Sequence, residues 1–210
     1  MYKLIFMQID LSTKQYQLSQ VVSFYKTKEL YGGLSNMAAK KYPLIVNNIE
    51  IDNTEALYQA CRFPDYPEIQ KEIIEDKSPM GSKMRAKKYR KEFTKPDFES
   101  VKMDIMYWCL QVKLFCNPYR FGSLLELTKE KEIVEISLKD SFWGCIRDKN
   151  DINVVMGQNV LGKLLVKLRE ENKEIKKDNY RNYTVETLDI SNFLIYNKNI
   201  LPLKKRLSNT

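Results

Sequence analysis

The sequence predicts a mainly helical α+β fold, and three observations predict it. Apolar residues recur at three- and four-residue steps through most of residues 53–130 and again over 160–175, the period of helices packed on a core. Shorter stretches rich in Ile, Val, Tyr and Phe, at 1–25, 43–51 and 132–137, have the composition of strands. The chain has 210 residues, 43% hydrophobic and 30% charged. That balance fits a soluble globular protein whose core needs no disulfide or metal staple. No internal repeat, low-complexity tract or linker interrupts it. One domain over 1–210 is therefore expected, with N-terminal strands in 1–22 and a C-terminal arm over 176–210.

In chain order, residues 1–25 read as one or two strands ending in Val21-Val22-Ser23-Phe24-Tyr25. A turn with two glycines follows, Tyr31-Gly32-Gly33-Leu34-Ser35-Asn36. Residues 43–51 read as a hairpin with Asn47-Asn48 at its tip, because Asn tolerates the left-handed turn conformation. A helix over 53–63 is stopped by Pro64, and a short one covers 67–76. Ser78-Pro79 opens another, since Pro is tolerated in a first turn. Residues 97–115 form a long amphipathic helix through Val101, Ile105, Trp108, Cys109, Val112 and Phe115. Residues 119–128 are helical and 132–137 a strand. A loop at Asp140-Ser141-Phe142-Trp143-Gly144 precedes the last clear helix, 160–175. The tail then loses helical pattern and reads as a strand or arm that packs back, frayed at its tip near Lys204-Lys205-Arg206.

Composition narrows the chemistry. Histidine is absent, which excludes Ser-His-Asp and Cys-His nucleophile pairs and His-ligated metal sites. Acid-base work falls to carboxylates, or less easily to Lys, Tyr or Cys. With 35 Lys+Arg against 27 Asp+Glu the net charge is +8, which favours an anionic partner. The four cysteines, Cys61, Cys109, Cys116 and Cys145, make no Cys-x-x-Cys pair and read as buried thiols of a reducing compartment. The apolar start stops at Asp10 without the marks of a signal peptide, and no apolar run approaches the roughly 18 residues of a membrane span. A cytoplasmic protein with no membrane association, metal or cofactor is expected.

Five constellations stand out. Glu55, Gln59 and Arg62 share one helical face and are suited to bind and act on a polar ligand; Glu55 fits a capping box under Asp52 better still on spacing alone. Gly33 and Asn36 belong to a turn whose paired glycines let backbone approach a ligand, or simply to a turn. Asp140, Phe142 and Trp143 put an acid beside two aromatics, which suits a flat heterocycle as well as a loop pinned into the core. Gly157-Gln158-Asn159 opens a helix, whose N-terminus is an anion site unless Asn159 only caps it. Lys83, Arg85, Lys87, Lys88, Arg90, Lys91 and Lys95 form a basic run, a phosphate grip or a solvated face, with Met80 and Met84 available to the core.

The order and spacing of these pieces carry more than any one of them. Gly33-Leu34-Ser35-Asn36, the hairpin after Pro43, Thr54-Glu55-Ala56-Leu57-Tyr58-Gln59-Ala60-Cys61-Arg62-Phe63, Ser78-Pro79-Met80, the Asp140 loop and Gly157-Gln158-Asn159-Val160-Leu161-Gly162 together resemble the YbiA/NADAR family, named for its association with NAD and ADP-ribose, over residues 23–172. The resemblance implies a compact, mainly helical fold with a few small antiparallel strands, and N-glycosidase activity. Some members cleave a ribosylamino-pyrimidine phosphate of riboflavin synthesis; others remove ADP-ribose from guanine, reversing a modification of nucleic acid. The second activity is expected here, with the first, or a non-catalytic ADP-ribose- or NAD-binding module, as the alternative. Partners would be an ADP-ribose-containing or phosphoribosyl substrate, and ADP-ribosylated nucleic acid. The resemblance implies Glu55 as the helix-borne catalytic Glu, a general base or charge stabiliser, with Asp140 as partner acid or ribose orienter. Tyr58, Phe142 and Trp143 are the candidates to stack the base, Asn36 and Asn159 to hold ribose, and Arg62, Lys83 and Arg85 to neutralise phosphates. The chain departs from the family at Ala56-Leu57, where many members carry His-Tyr, and at Arg62, where many carry Lys. Guanidinium stays protonated and is a poor amine nucleophile, so Lys83 is the substitute candidate there.

Overall fold

The computed structural model describes residues 9–205. Among them the chain forms six α-helices and eleven short strands in two compact units, residues 9–35 with 124–171 and residues 36–123 with 172–205. The first eight residues of the expected N-terminal strands, and Arg206 with the tip of the tail, lie outside the described residues.

The first unit is built on a five-stranded sheet. Its strands are β1 (Lys14–Gln17), β2 (Val22–Phe24), β5 (Ile133–Ser137), β6 (Cys145–Arg147) and β7 (Val154–Gly157), in the order β1-β7-β6-β5-β2. β1 and β6 run antiparallel to β7, but β5 is parallel to both β2 and β6. This corrects the expected few small antiparallel strands: the sheet is mixed, and the fold is α+β with a substantial β part. Parallel pairing needs a long crossover rather than a tight turn, so it leaves no local mark in the sequence. β2 and β5, its parallel neighbour, are more than a hundred residues apart in the chain. Tyr16, Val134, Ile136, Cys145 and Val155 fill one face of the sheet, with Leu18 and Val21 packed on them.

The second unit carries most helices: α1 (Thr54–Ala60), α2 (Pro67–Ile74), α3 (Pro79–Phe93) and α4 (Phe98–Cys116). The dividing points fall inside α5 (Pro118–Leu127) and α6 (Val160–Lys177). β3 (Leu44–Val46) and β4 (Ile49–Ile51) are the expected hairpin, turning through Asn47 and Asn48 at φ 50° and 64°, the left-handed pair that Asn accommodates. Ser78 caps α3 through a bond from Gly81 N, with Pro79 in the first turn. Met80 and Met84 of α3 are exposed, not in the core; Ser82 and Ala86 are its buried face, because close packing of α2 and α3 favours small side chains there.

The tail forms β8 (Thr184–Val185) paired with β11 (Leu203–Lys204), and β9 (Leu194–Ile195) paired with β10 (Lys198–Asn199). It is fastened to the helices. Fully buried Gln70 of α2 donates to Ala60 O and Leu194 O and accepts from Tyr196 N, and Lys95 Nζ donates to Ser191 O at 2.7 Å. Phe193 meets Trp108 edge-on, ring centroids 4.9 Å apart. Cys61, Cys109 and Cys145 are buried free thiols and Cys116 is half-buried. No helix of the described residues is long and apolar enough to cross a membrane.

Candidate active site

α1 begins one residue later than expected. Asn53, not Asp52, is its cap: Asn53 has extended backbone and its Oδ1 accepts from Ala56 N at 2.9 Å. Asp52 instead pairs with Lys77 at 3.5 Å. The helix stops at Ala60, three residues short of Phe63, as backbone bonds from Arg62 and Phe63 tighten its end. The shift at the start matters for Glu55, which drops out of the capping-box position and turns its carboxylate to Gln59.

All seven residues of α1 are buried, Glu55 with 6% of its surface exposed. Glu55 Oε1 accepts from Gln59 Nε2 at 2.9 Å, and Gln59 Oε1 accepts from Arg90 Nη2 of α3 at 3.1 Å. A buried amide thus links the acid to a guanidinium. The Glu55 backbone N–H donates to Asn36 O. Asn36 Nδ2 donates to Met106 Sδ at 3.1 Å, while Asn36 Oδ1 is buried without a hydrogen-bond partner.

Arg62 lies beyond the end of α1, with its guanidinium 3.7 Å from the centre of the Phe98 ring. Its nearest acid is Glu99, 4.0 Å away and largely exposed. The Nε atoms of both Arg62 and Arg90 are buried without an acceptor, a condition that costs about 1–3 kcal/mol per group. Burial pushes the Arg62 pKa down, and Arg90 adds to this against the pull of Tyr58, Glu99 and Glu55. Burial also pushes the Tyr58 phenol up, opposed by Arg62, so Tyr58 stays neutral. Tyr58 packs on Phe98 at 5.9 Å.

Of the basic run, Arg90 is the side chain that hydrogen-bonds to α1, among the described residues. Arg85, expected to meet phosphates, is engaged by Asp76 at 2.6 Å and faces Glu72. Lys83 is half-buried on α3 and makes no hydrogen bond or ion pair with the Glu55 cluster. The structure therefore brings Asn36, Glu55, Tyr58 and Arg62 together, leaves Lys83 outside, and adds Gln59, Arg90 and Glu99. Spacing marked Gln59 on the face of Glu55; nothing local marked Arg90 as its partner from another helix.

The remaining expected residues belong to the first unit. Asp140 is half-buried, and its Oδ1 accepts from Phe142 N at 3.0 Å and Trp143 N at 2.9 Å, the bonding of an Asx turn. Phe142 and Trp143 are half-buried and meet edge to face at 5.0 Å. Both ends of the Asn159 amide hold β5: Oδ1 accepts from Glu135 N, and Nδ2 donates to Ile133 O at 2.8 Å. At φ 52°, Asn159 also makes the left-handed turn into α6. The first amides of that helix are taken, Val160 N by Phe142 O and Leu161 N by Trp143 O, both at 3.0 Å. The helix N-terminus thus grips the aromatic loop and is not open to an anion, a correction of the alternative raised for it. Backbones meet so closely here that a Cβ at Gly157 would strike Gly144 O and one at Gly162 would strike Ile133 O. Gln158 Oε1 is left buried and unpaired, an atom that sequence reading passed over. Gly33 sits in a buried 3-10 turn, Gly32–Leu34, whose close approach to the backbone of Lys26 and Thr27 is the reason for Gly32.

A model of the NADAR domain matches residues 23–172 of this chain. The chain belongs to the NADAR domain family. The resemblance carried by the order of motifs is thereby borne out, over the same residues. Among similar proteins, N-glycosidase YbiA of Escherichia coli is 32% identical over 151 residues, 72% of this chain and 88% of that protein. The chloroplastic riboflavin biosynthesis protein PYRR of Zea mays is 32% identical over 174 residues, 78% of this chain; the match spans 27% of the maize protein's length. The NMR structure of the E. coli protein YbiA superposes with a TM-score of 0.62 at 30% identity, covering 76% of this chain and 88% of that one. The fold is therefore shared with that structure.

Proposed function

We propose that this chain is an N-glycosidase that hydrolyses a ribosyl–base bond, with Glu55 as its catalytic carboxylate. The observation that carries the reading is the state of Glu55: buried, released from helix capping by Asn53, and held by one side-chain amide. Breaking a ribosyl–nitrogen bond develops positive charge on the sugar ring, at C1 and the ring oxygen. A fixed carboxylate stabilises that charge and prepares water for attack on C1. Gln59 holds the carboxylate in place while Glu55 retains its second oxygen for this work. Two relatives named N-glycosidase, from Escherichia coli and a mimivirus, support the reaction class.

The proposed substrate is a guanine carrying ADP-ribose, in a nucleotide or in nucleic acid. The net charge of +8 and the exposed Lys87, Lys88 and Lys91 support an anionic, backbone-bearing substrate. A modified base in a duplex would have to leave the stack to be reached. A second reading, cleavage of a ribosylamino-pyrimidine phosphate, is favoured by the plant relatives named for riboflavin biosynthesis. The test is a panel of ADP-ribosyl-guanosine, ADP-ribosylated single-stranded DNA, NAD and the ribosylamino-pyrimidine phosphate, followed by chromatography for free base and free sugar phosphate. Release of ADP-ribose from the guanine substrates is expected. Turnover of the pyrimidine alone moves the assignment to the second reading, and binding without product from any member sinks the enzyme.

A further inference from the structure

We propose that Arg62 and Arg90 form a subsite for a phosphate on the 5′ carbon of the ribose, with Arg90 as a binding residue that the basic run conceals. The inference rests on the N-glycosidase reading of Glu55 and extends it to the substrate's anionic end. One guanidinium comes from the end of α1 and one from α3: Arg90 is joined to the carboxylate through Gln59, and Arg62 lies close enough to feel the charges of both Arg90 and Glu55. Each keeps a buried Nε–H with no acceptor, and Arg62 is only 9% exposed. Among the described residues Arg90 forms no ion pair, and that of Arg62 is the long contact to exposed Glu99. Arg90 donates to the neutral amide of Gln59, and Glu99 stands 4.0 Å from Arg62 while Lys102 holds it at 2.6 Å.

Like charges placed together without an anion destabilise a fold, and unpaired buried donors do the same. Both costs disappear if one anion with several oxygens accepts from the two guanidiniums. Phosphate fits this demand, because its non-bridging oxygens match the planar fork of Arg. Gln59 sets the distance: Arg90 is two hydrogen bonds from the Glu55 carboxylate, and an anion on Arg90 one more, so one ribose phosphate can bridge the two groups. The other cations of the run do not compete for this role. Arg85 is held by Asp76, and Lys87, Lys88 and Lys91 are exposed.

Calorimetric titration of the full chain with ADP-ribose and with ribose 5-phosphate tests the subsite. Wild type should bind both, and Arg90→Gln should weaken both by about ten- to a hundred-fold, the loss of a charge-assisted bond. Arg90→Lys, which keeps the charge but not the fork, should fall between them. A loss confined to ADP-ribose assigns the subsite to a pyrophosphate; a loss for both assigns it to the 5′ phosphate common to either substrate. Equal affinity in wild type and Arg90→Gln overturns the proposal. If Arg90→Gln does not fold, competition in wild type decides: inorganic pyrophosphate should displace ADP-ribose, and failure to do so overturns the proposal. Phosphate binding lost in Arg90→Gln, in a protein that turns over no member of the substrate panel, keeps the subsite and removes the enzyme reading.

Discussion

Glu55 and Asp140 are the two acids that the order of motifs brings forward, and their oxygens are used differently. Asp140 accepts two backbone amides through one oxygen and so builds the turn that carries Phe142 and Trp143. Glu55 accepts from a single side-chain amide, on a helix whose capping is done by its neighbour Asn53. The surroundings follow the same division. At the junction into α6 the polar groups hold backbone to backbone, with Gln158 Oε1 and the nearby Tyr16 hydroxyl left over; around α1 the Nε–H groups of Arg62 and Arg90, the Asn53 side-chain amide nitrogen and the Asn36 amide oxygen are left over. An acid bonded to backbone amides has a structural task already. An acid placed among unpaired buried donors is where a ligand has most to satisfy.

The largest expected effect comes from exchanging the charge at each acid. Glu55→Gln should lower turnover by about 10²–10⁴-fold, since Gln still bonds Gln59 but carries no charge. Asp140→Asn keeps the turn acceptor, so its turnover and melting temperature should stay close to wild type. Steady-state rates of the two variants on the same substrate decide the matter. A loss in Asp140→Asn as deep as that in Glu55→Gln would break the contrast and make Asp140 a second catalytic acid.

Asn159→Ala tests the structural side. It removes both bonds to β5, leaves Glu135 N and Ile133 O unpaired, and puts a Cβ-bearing residue of poorer tolerance at φ 52°. A loss of about 2–4 kcal/mol in denaturant unfolding is expected. An unchanged midpoint would mean that the junction is held by other bonds.

A smaller effect concerns Lys113, a charge of α4 that the second unit buries completely between Tyr42 and Phe121, its Nζ 4.8 and 4.3 Å from their ring centres. Burial pushes its pKa down to about 7. The unfolded chain then holds this proton more tightly than the folded one between about pH 7 and the ordinary lysine range. Stability should therefore rise with pH across that window, by on the order of 2 kcal/mol from pH 7 to 9.5. Lys113→Met should flatten the rise, as read from urea midpoints across pH. A rise of the same size in Lys113→Met would trace it to other groups.

Particular residues mark how far the sequence could be read. The Asn47-Asn48 turn, the Ser78-Pro79 start of α3 and the long α4 were legible because each depends on neighbours within one or two turns of chain. Asp52 and Asn53 are both good caps, so sequence alone could not choose between them; in the structure the side chain of Asn53 accepts from Ala56 N while that of Asp52 turns to Lys77. β6 and β7 were not foreseen, since strands of three and four residues carry too little alternation to register. Met80 and Met84 suggested a core contact that the small residues Ser82 and Ala86 make instead.

By itself the sequence determined the helices, the hairpin, the motif order that carries the family, and the limit that zero histidine places on the chemistry. These are properties of composition and of short-range period, which survive without knowing what packs on what. Tertiary structure alone decided that β5 lies parallel to its neighbours, that Asp140 and Asn159 bond to backbone, and that Gln59 joins Glu55 to Arg90 across helices. The physical reason is the same in each case. Whether a polar atom is paired depends on partners from distant parts of the chain, and only packing brings those partners within hydrogen-bonding distance.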